Sequence, residues 1–221
     1  MWKWAFIGSL LAAACMVPSI ALPSDADAPA LAAEFETRFG KQAARRWRLL
    51  RDAARIEVQE RVPGVSELWL LEGGGRIRHL RLYHEARAGI EYDAADLRLL
   101  EAVPDWRALG RVVDPARLER LGPPEPAERF ARWPARRYAR DGQEVVWIPA
   151  LQLPARIAEG EAVTRLLAVH TPAAAAPWRF TDPGAYRLID YADLGDMERD
   201  PFVMRLLEID PDAAGVAHHG H

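Results

Sequence analysis

Cysteine occurs once in the 221 residues, at Cys15, lysine only at Lys3 and Lys41, and serine only at Ser9, Ser19, Ser24 and Ser66. Each scarcity removes a class of function. The first thirty residues, MWKWAFIGSLLAAACMVPSIALPSDADAPA, have a basic start, an apolar run from Ala5 to Val17, the breaker Pro18, and small residues before a cut after Ala21, which is the pattern of a secretory signal. Such a cut removes 21 residues and leaves 200, among them no thiol. Disulfides, thiol catalysis and cysteine-ligated zinc are then excluded, and an exported chain of this size must hold its fold by core packing. Serine chemistry is starved in the same way. Gly64-Val65-Ser66-Glu67-Leu68 has Leu68 where a nucleophile elbow needs its second glycine.

The apolar run is shorter than the roughly 20 residues of a membrane span, so no span is expected in the mature chain. A signal anchor, and a lipoprotein through Cys15, are the alternative readings of this end; Ala12 stands where a lipoprotein signal usually has an aliphatic residue. The net charge of −3 falls to −4 when Lys3 leaves, and acidic and basic residues are interleaved. Interleaving gives neither a nucleic-acid footprint nor a polybasic membrane patch. Pairs such as Arg45-Arg46 and Arg136-Arg137 read as solvated faces.

Residues 22–30 read as a flexible leader, 31–210 as one α+β domain and 211–221 as a flexible tail. Leu31, Phe35 and Phe39, spaced by four and closed by Gly40, predict an N-terminal amphipathic helix. Lys41 to Leu50 fits a short helix or the approach to a strand. From Ala54 the period changes to two: RIEVQERV reads as a strand, VSELWLLE and RIRHLRLYH as a hairpin around Gly73-Gly74-Gly75, and IEY and LRLL as further strands. Pro104 to Leu109 and the segment opened by Asp114-Pro115 read as short central helices. GQEVVWIP, LQLPARIA and EAVTRLLAVH return to strands, with Pro154 marking an edge or a bulge. TPAAAAP is a loop, WRF and AYRLIDY are the last strands, and a C-terminal helix starts at Pro201. The sum is a curved, mainly antiparallel sheet with helices at the start, middle and end.

His79 and His84 lie five apart, which on a strand places them on opposite faces and prevents joint chelation. His84-Glu85 lacks the second histidine of the zinc-protease helix, since Ala88 stands there. His170 has no partner nearby in sequence. His218, His219 and His221 form a short tract of the kind that binds divalent ions weakly. Gly73 to Gly75 is followed by a strand, not by the Lys-Ser/Thr and helix of a phosphate loop. Five carboxylates, Asp190, Asp193, Asp196, Glu198 and Asp200, fall within eleven positions. A calcium loop starting at Asp196 fails at Pro201 and Leu207, whereas Asp200-Pro201 is a helix opening. That leaves the acidic cluster Asp190, Asp193 and Asp196 as a candidate clamp for Arg187 or a cation. Trp69, Trp147, Leu151 and Leu153 are the candidates to line an apolar groove on the sheet.

The order of these segments resembles the periplasmic lipoprotein-carrier superfamily, the LolA/LolB-like half-barrels. EVQERV, VSELWLLE and RIRHLRLYH correspond to its strand meander, and VWIPALQLPARI is similar to its recurrent strand-turn-strand phrase. The likeness spans about residues 30–190 and maps no individual motif residue. It implies a half-barrel that works without a cofactor, in the periplasm, on an apolar ligand or on a lipoprotein or other envelope protein. Two other expectations stand beside it: an envelope interaction module docking through residues 186–209, and a metal-dependent periplasmic enzyme using the acidic cluster with a histidine.

Overall fold

The computed structural model describes residues 28–197 and 199–209. The segment expected to be a signal, Cys15, most of the expected leader, Glu198 and residues 210–221 with His218, His219 and His221 lie outside the described residues. Six strands come first: β1 (Leu31–Phe39), β2 (Arg45–Arg51), β3 (Arg55–Gln59), β4 (Val65–Leu71), β5 (Ile77–Tyr83) and β6 (Ala88–Tyr92). Three short helices follow, α1 (Ala94–Leu99), α2 (Trp106–Leu109) and α3 (Pro115–Arg120). Five more strands are β7 (Glu125–Phe130), β8 (Trp133–Arg140), β9 (Gln143–Ile148), β10 (Leu153–Glu159) and β11 (Ala162–His170). The described residues end with β12 (Arg187–Asp190), a 3-10 segment at Tyr191–Met197 and α4 (Pro201–Ile209).

All twelve strands form one curved, unclosed sheet in the order β12-β6-β5-β4-β3-β2-β1-β11-β10-β9-β8-β7. β1 sits near the centre because β11 returns to pair with it; the meander β2–β6 runs out on one side and β11–β7 on the other. Every neighbouring pair is antiparallel except β12 with β6. Both edges are blunted against further pairing. β12 has only four residues, and β7 carries Pro126 and a register shift between Ala127 and Phe130.

Several segments differ from the expectation. The expected N-terminal helix over Leu31–Phe39 is the strand β1. A spacing of four is also even, so Leu31 and Phe35 share a strand face as readily as a helix face. Ala32 and Ala33 are both buried because β1 is covered on both sides, which erases the alternation that marks a half-buried strand. LRLL belongs to the end of helix α1, where Asp93 accepts hydrogen bonds from the Ala95 and Asp96 amides at 2.6 and 2.8 Å and the Asp96 carboxylate accepts from the Asp93 amide at 2.9 Å. That reciprocal box starts a helix despite the strand-like composition. β7 and β8 go unread in the sequence because Pro126 and Pro134 interrupt them; Pro126 lies on the edge strand and Pro134 opposite the register shift, where a missing N–H is tolerated. WRF is irregular chain lying on the sheet.

The other elements agree with the reading. The Gly triplet turns β4 into β5 with Gly74 at φ +77, Asp114 caps α3 through the Ala116 amide at 2.9 Å, and Pro154 sits at a register shift between β10 and β9.

Two stretches of chain cover the sheet. Residues 94–122, carrying α1 to α3, lie on its inner face. Residues 173–186 cross the outer face of β1–β5, with Ala173, Ala176, Trp178, Phe180 and Tyr186 packed on Ala32, Leu50, Leu68, Leu80 and Leu82.

Candidate functional site

The inner face carries the most populous buried apolar cluster among the described residues. Leu31, Ala33 and Phe35 of β1, Trp47 and Leu49 of β2 and Ile56 of β3 form one cluster with Ala135, Ile148, Leu151, Leu153 and Leu166 from the other half of the sheet. Phe35 and Trp47, opposite each other in the ladder, stack with ring centroids 4.4 Å apart. A second cluster under β4–β6 contains Val65, Tyr83, Ile90 and Tyr92, and a third contains Tyr138, Val145 and Trp147.

One segment lies across all three. Leu97, Leu100 and Ala102 pack on the second cluster, Trp106, Leu109 and Val112 on the first, and Val113, Leu118 and Leu121 on the third. Its helices have six, four and six residues. Isolated helices shorter than about 12–15 residues are marginal, so this cover is held by what it packs on and by its caps, not by its own helical propensity. Its outer side leaves Leu99 78 % exposed.

The α2 end of the cover is fastened by a buried cation, and α3 by Arg117, which pairs with Glu159 at 2.7 Å, and by Arg140, which donates to the Arg120 carbonyl at 3.3 Å. Arg51, the last residue of β2, is 2 % exposed. Its Nε donates to the Pro29 carbonyl at 2.9 Å, Nη1 to the carbonyls of Gly110 and of Gln152 (3.3 Å), and Nη2 to the Leu151 carbonyl. The guanidinium therefore joins the chain before β1, the end of α2 and the β9–β10 turn through backbone carbonyls, and no carboxylate pairs with it among the described residues. Burial, and secondarily Arg111, push its pKa down to about 9. Gly110 allows the close approach: a Cβ there would lie 3.3 Å from both Arg51 Cδ and Ile56 Cδ1, already crowding the latch.

A row of rings extends the face toward β12. His79 of β5 stacks on Trp69 of β4 at 3.8 Å, faces Tyr92 of β6 at 5.3 Å, and Tyr92 in turn stacks on Tyr191 at 4.9 Å. Burial holds the His79 pKa below its ordinary value, outweighing the opposite pull of Glu67, whose Oε2 is 3.6 Å from His79 Nε2. Burial acts to raise the Glu67 pKa, but His79, Arg81 and Arg61 together hold that carboxyl below its usual range.

The candidate groove residues are inner-face packing, not the wall of an open groove. Trp147, Leu151 and Leu153 are buried, and Trp69 is half-buried between the first two clusters. The structure does not bring the acidic cluster together. Asp190 accepts the Ala192 amide at 3.0 Å, while Asp193 and Asp196 are exposed along the 3-10 segment. Arg187 is clamped instead by Asp200, 2.6 Å away, which also accepts the Phe202 amide at 2.8 Å and so caps α4. Arg187 lowers the Asp200 pKa first, helped by the Phe202 amide. No group of three His, Cys, Asp or Glu arranged to hold a metal occurs among the described residues. No helix among them is long and apolar enough to cross a membrane.

His79 and His84 lie on opposite faces, as their odd spacing requires. On the outer face His84 Nε2 is 2.9 Å from Ser66 Oγ, and Nδ1 is 2.7 Å from the Tyr186 hydroxyl. The distances are those of a nucleophile and its base, but Ser66 is 0 % exposed and the third member is a phenol. The set ties the crossing chain to the sheet. Glu57 does the same, accepting from the Thr181 amide at 2.8 Å and its hydroxyl at 2.6 Å, as does Gln59, which donates to the Arg179 carbonyl at 2.8 Å.

Sequence reasoning misses Arg51 altogether. An arginine at the end of RRWRLLR carries no mark of burial, and its acceptors come from residues 22, 59, 100 and 101 positions away. No protein-family model matches the chain, and no curated protein sequence matches it.

Proposed function

We propose that this protein is a non-catalytic periplasmic binding or carrier protein, a half-barrel of the lipoprotein-carrier kind, which holds an apolar ligand such as an acyl chain on the inner face of its sheet beneath the 94–122 cover. The observation that carries this reading is the way that cover is attached. A surface of Leu, Phe and Trp side chains is capped by helices too short to stand alone, tied to the sheet by a few side-chain bonds: Arg51 to the Gly110 carbonyl, Arg117 to Glu159 at 2.7 Å and Arg140 to the Arg120 carbonyl at 3.3 Å. A cover needed only for stability would be expected to fill the space with longer helices and an apolar pin, since a buried cation carries a desolvation penalty and is weak evidence for stability. Displacing the cover breaks the Arg51 bond to Gly110 while Arg51 keeps its other acceptors, and so few directional ties suit a cover that opens. The apolar face then becomes a trough lined by Phe35, Trp47, Leu49 and Ile56, the kind of concave, largely hydrophobic site that takes small apolar molecules.

The reading needs no cofactor. Titration of the purified protein with a fluorescent apolar probe such as N-phenylnaphthylamine tests it. Saturable binding at about micromolar probe, with a change in Trp emission, is the expected result. Absence of saturable binding sinks the proposal.

A further inference from the structure

One cleft stands apart from the clusters already described. It has a volume of about 530 Å³, within the range of about 300–1,000 Å³ typical of small-molecule sites. Its walls are Pro124, just past the end of the cover, Pro126 and Pro134 of β7 and β8, and Pro149 with Ala150 in the turn after β9. Ala135 reaches it from the inner-face cluster, 6 % exposed, so the cleft and the apolar face share a residue. The turn that forms one wall continues directly into Leu151 and Gln152, whose carbonyls Arg51 holds.

The chemistry at this cleft is asymmetric. Arg136 lines it and makes no hydrogen bond or ion pair among the described residues. Its neighbour Arg137 is fully engaged, with Glu144 at 2.7 Å and Glu125 at 3.2 Å. Glu125, the one carboxylate of the cleft, is thereby occupied by Arg137. An otherwise apolar, proline-walled cleft thus presents one unengaged guanidinium, the residue type best suited to grip a carboxylate or phosphate in a fork.

We propose that this cleft is the mouth of the ligand site and recognises an anionic amphiphile, a fatty-acid-like molecule whose carboxylate pairs with Arg136 and whose chain passes Ala135 toward the inner face. The proposal rests on the binding reading above and adds the head-group chemistry. A neutral apolar ligand gains nothing from Arg136, whereas a monoanionic one gains a paired charge at the rim of an apolar cleft.

The test uses the full mature chain with cis-parinaric acid and its methyl ester as probes. The acid is expected to bind about tenfold or more tightly than the ester, corresponding to about 1.4 kcal/mol. Arg136→Gln should abolish that preference by lowering the affinity for the acid to that for the ester, Arg136→Lys should restore part of it, and Ala150→Trp, at an exposed position, should weaken both probes. Equal binding of acid and ester by the wild-type protein, or an acid preference that survives in Arg136→Gln, overturns the head-group assignment and leaves the carrier reading intact. Failure of both probes to bind overturns both.

Discussion

Replacing Arg51 by methionine keeps most of the apolar volume of its stem and removes every bond it makes to the cover, the β9–β10 turn and Pro29. Two opposed quantities set the outcome. Hydrogen bonds from a charged donor contribute about 1.5–3 kcal/mol each, and Arg51 makes four. Against them, burial and secondarily the neighbouring Arg111 lower its pKa from 12.5 to about 9, which corresponds to about 5 kcal/mol disfavouring the cation. The net contribution of the residue to the fold is then about 1–7 kcal/mol, but only its bond to Gly110 is to the cover, about 1.5–3 kcal/mol, so Arg51→Met should raise the open fraction about 10- to 150-fold. Hydrogen exchange measures it directly. The α2 amides bonded to Asp105 and Ala108, those of Leu109 and Arg111, should lose protection while β1 and β2 keep theirs. Arg51→Lys should not rescue, because one ammonium cannot reach carbonyls in three segments. Unchanged protection at Leu109 and Arg111, or a loss shared equally by the whole sheet, refutes the latch.

Three further outcomes follow from the same geometry. Burial lowers the His79 pKa in the fold below its ordinary value, so the unfolded chain binds more protons and stability should fall as pH drops below about 6.5; His79→Phe, which preserves the stack on Trp69, should flatten a urea-denaturation profile below about pH 6.5. Tyr186→Phe should destabilise the protein by about 1 kcal/mol in urea melts by releasing the crossing chain from His84, and Ser66 should remain unlabelled by a fluorophosphonate probe because it is fully buried; labelling at Ser66 contradicts the structural role. Asp200→Ala should selectively raise amide exchange in the first turn of α4, and in the wild-type protein the same fraying should appear only at pH below the normal aspartate range, because Arg187 lowers the Asp200 pKa.

What the sequence showed and what it hid divide along local and non-local information. The β4–β5 hairpin, the caps at Asp114 and Asp200 and the opposed faces of His79 and His84 depend on residues a few positions apart, and all were legible. β1 was misread because its position at the centre of the sheet decides its conformation, and centrality follows from β11 pairing with it about 130 residues later. β7 and β8 were hidden because proline is read as a breaker when its neighbours are unknown; at an edge and beside a register shift it breaks nothing. Within the candidate site, the aromatic residues were visible as apolar but not as covered. The residue that fastens the cover was invisible, since the burial of an arginine depends wholly on which carbonyls the fold brings around it.

Native mass measurement of the protein, isolated from the cell envelope fraction without detergent, tests the central claim most directly. The carrier account predicts a population heavier than the mature chain by the mass of one apolar molecule, lost on organic extraction and enlarged in Arg51→Met only if opening speeds loading. A protein that carries no organic adduct, and takes up none when offered acyl ligands, contradicts it.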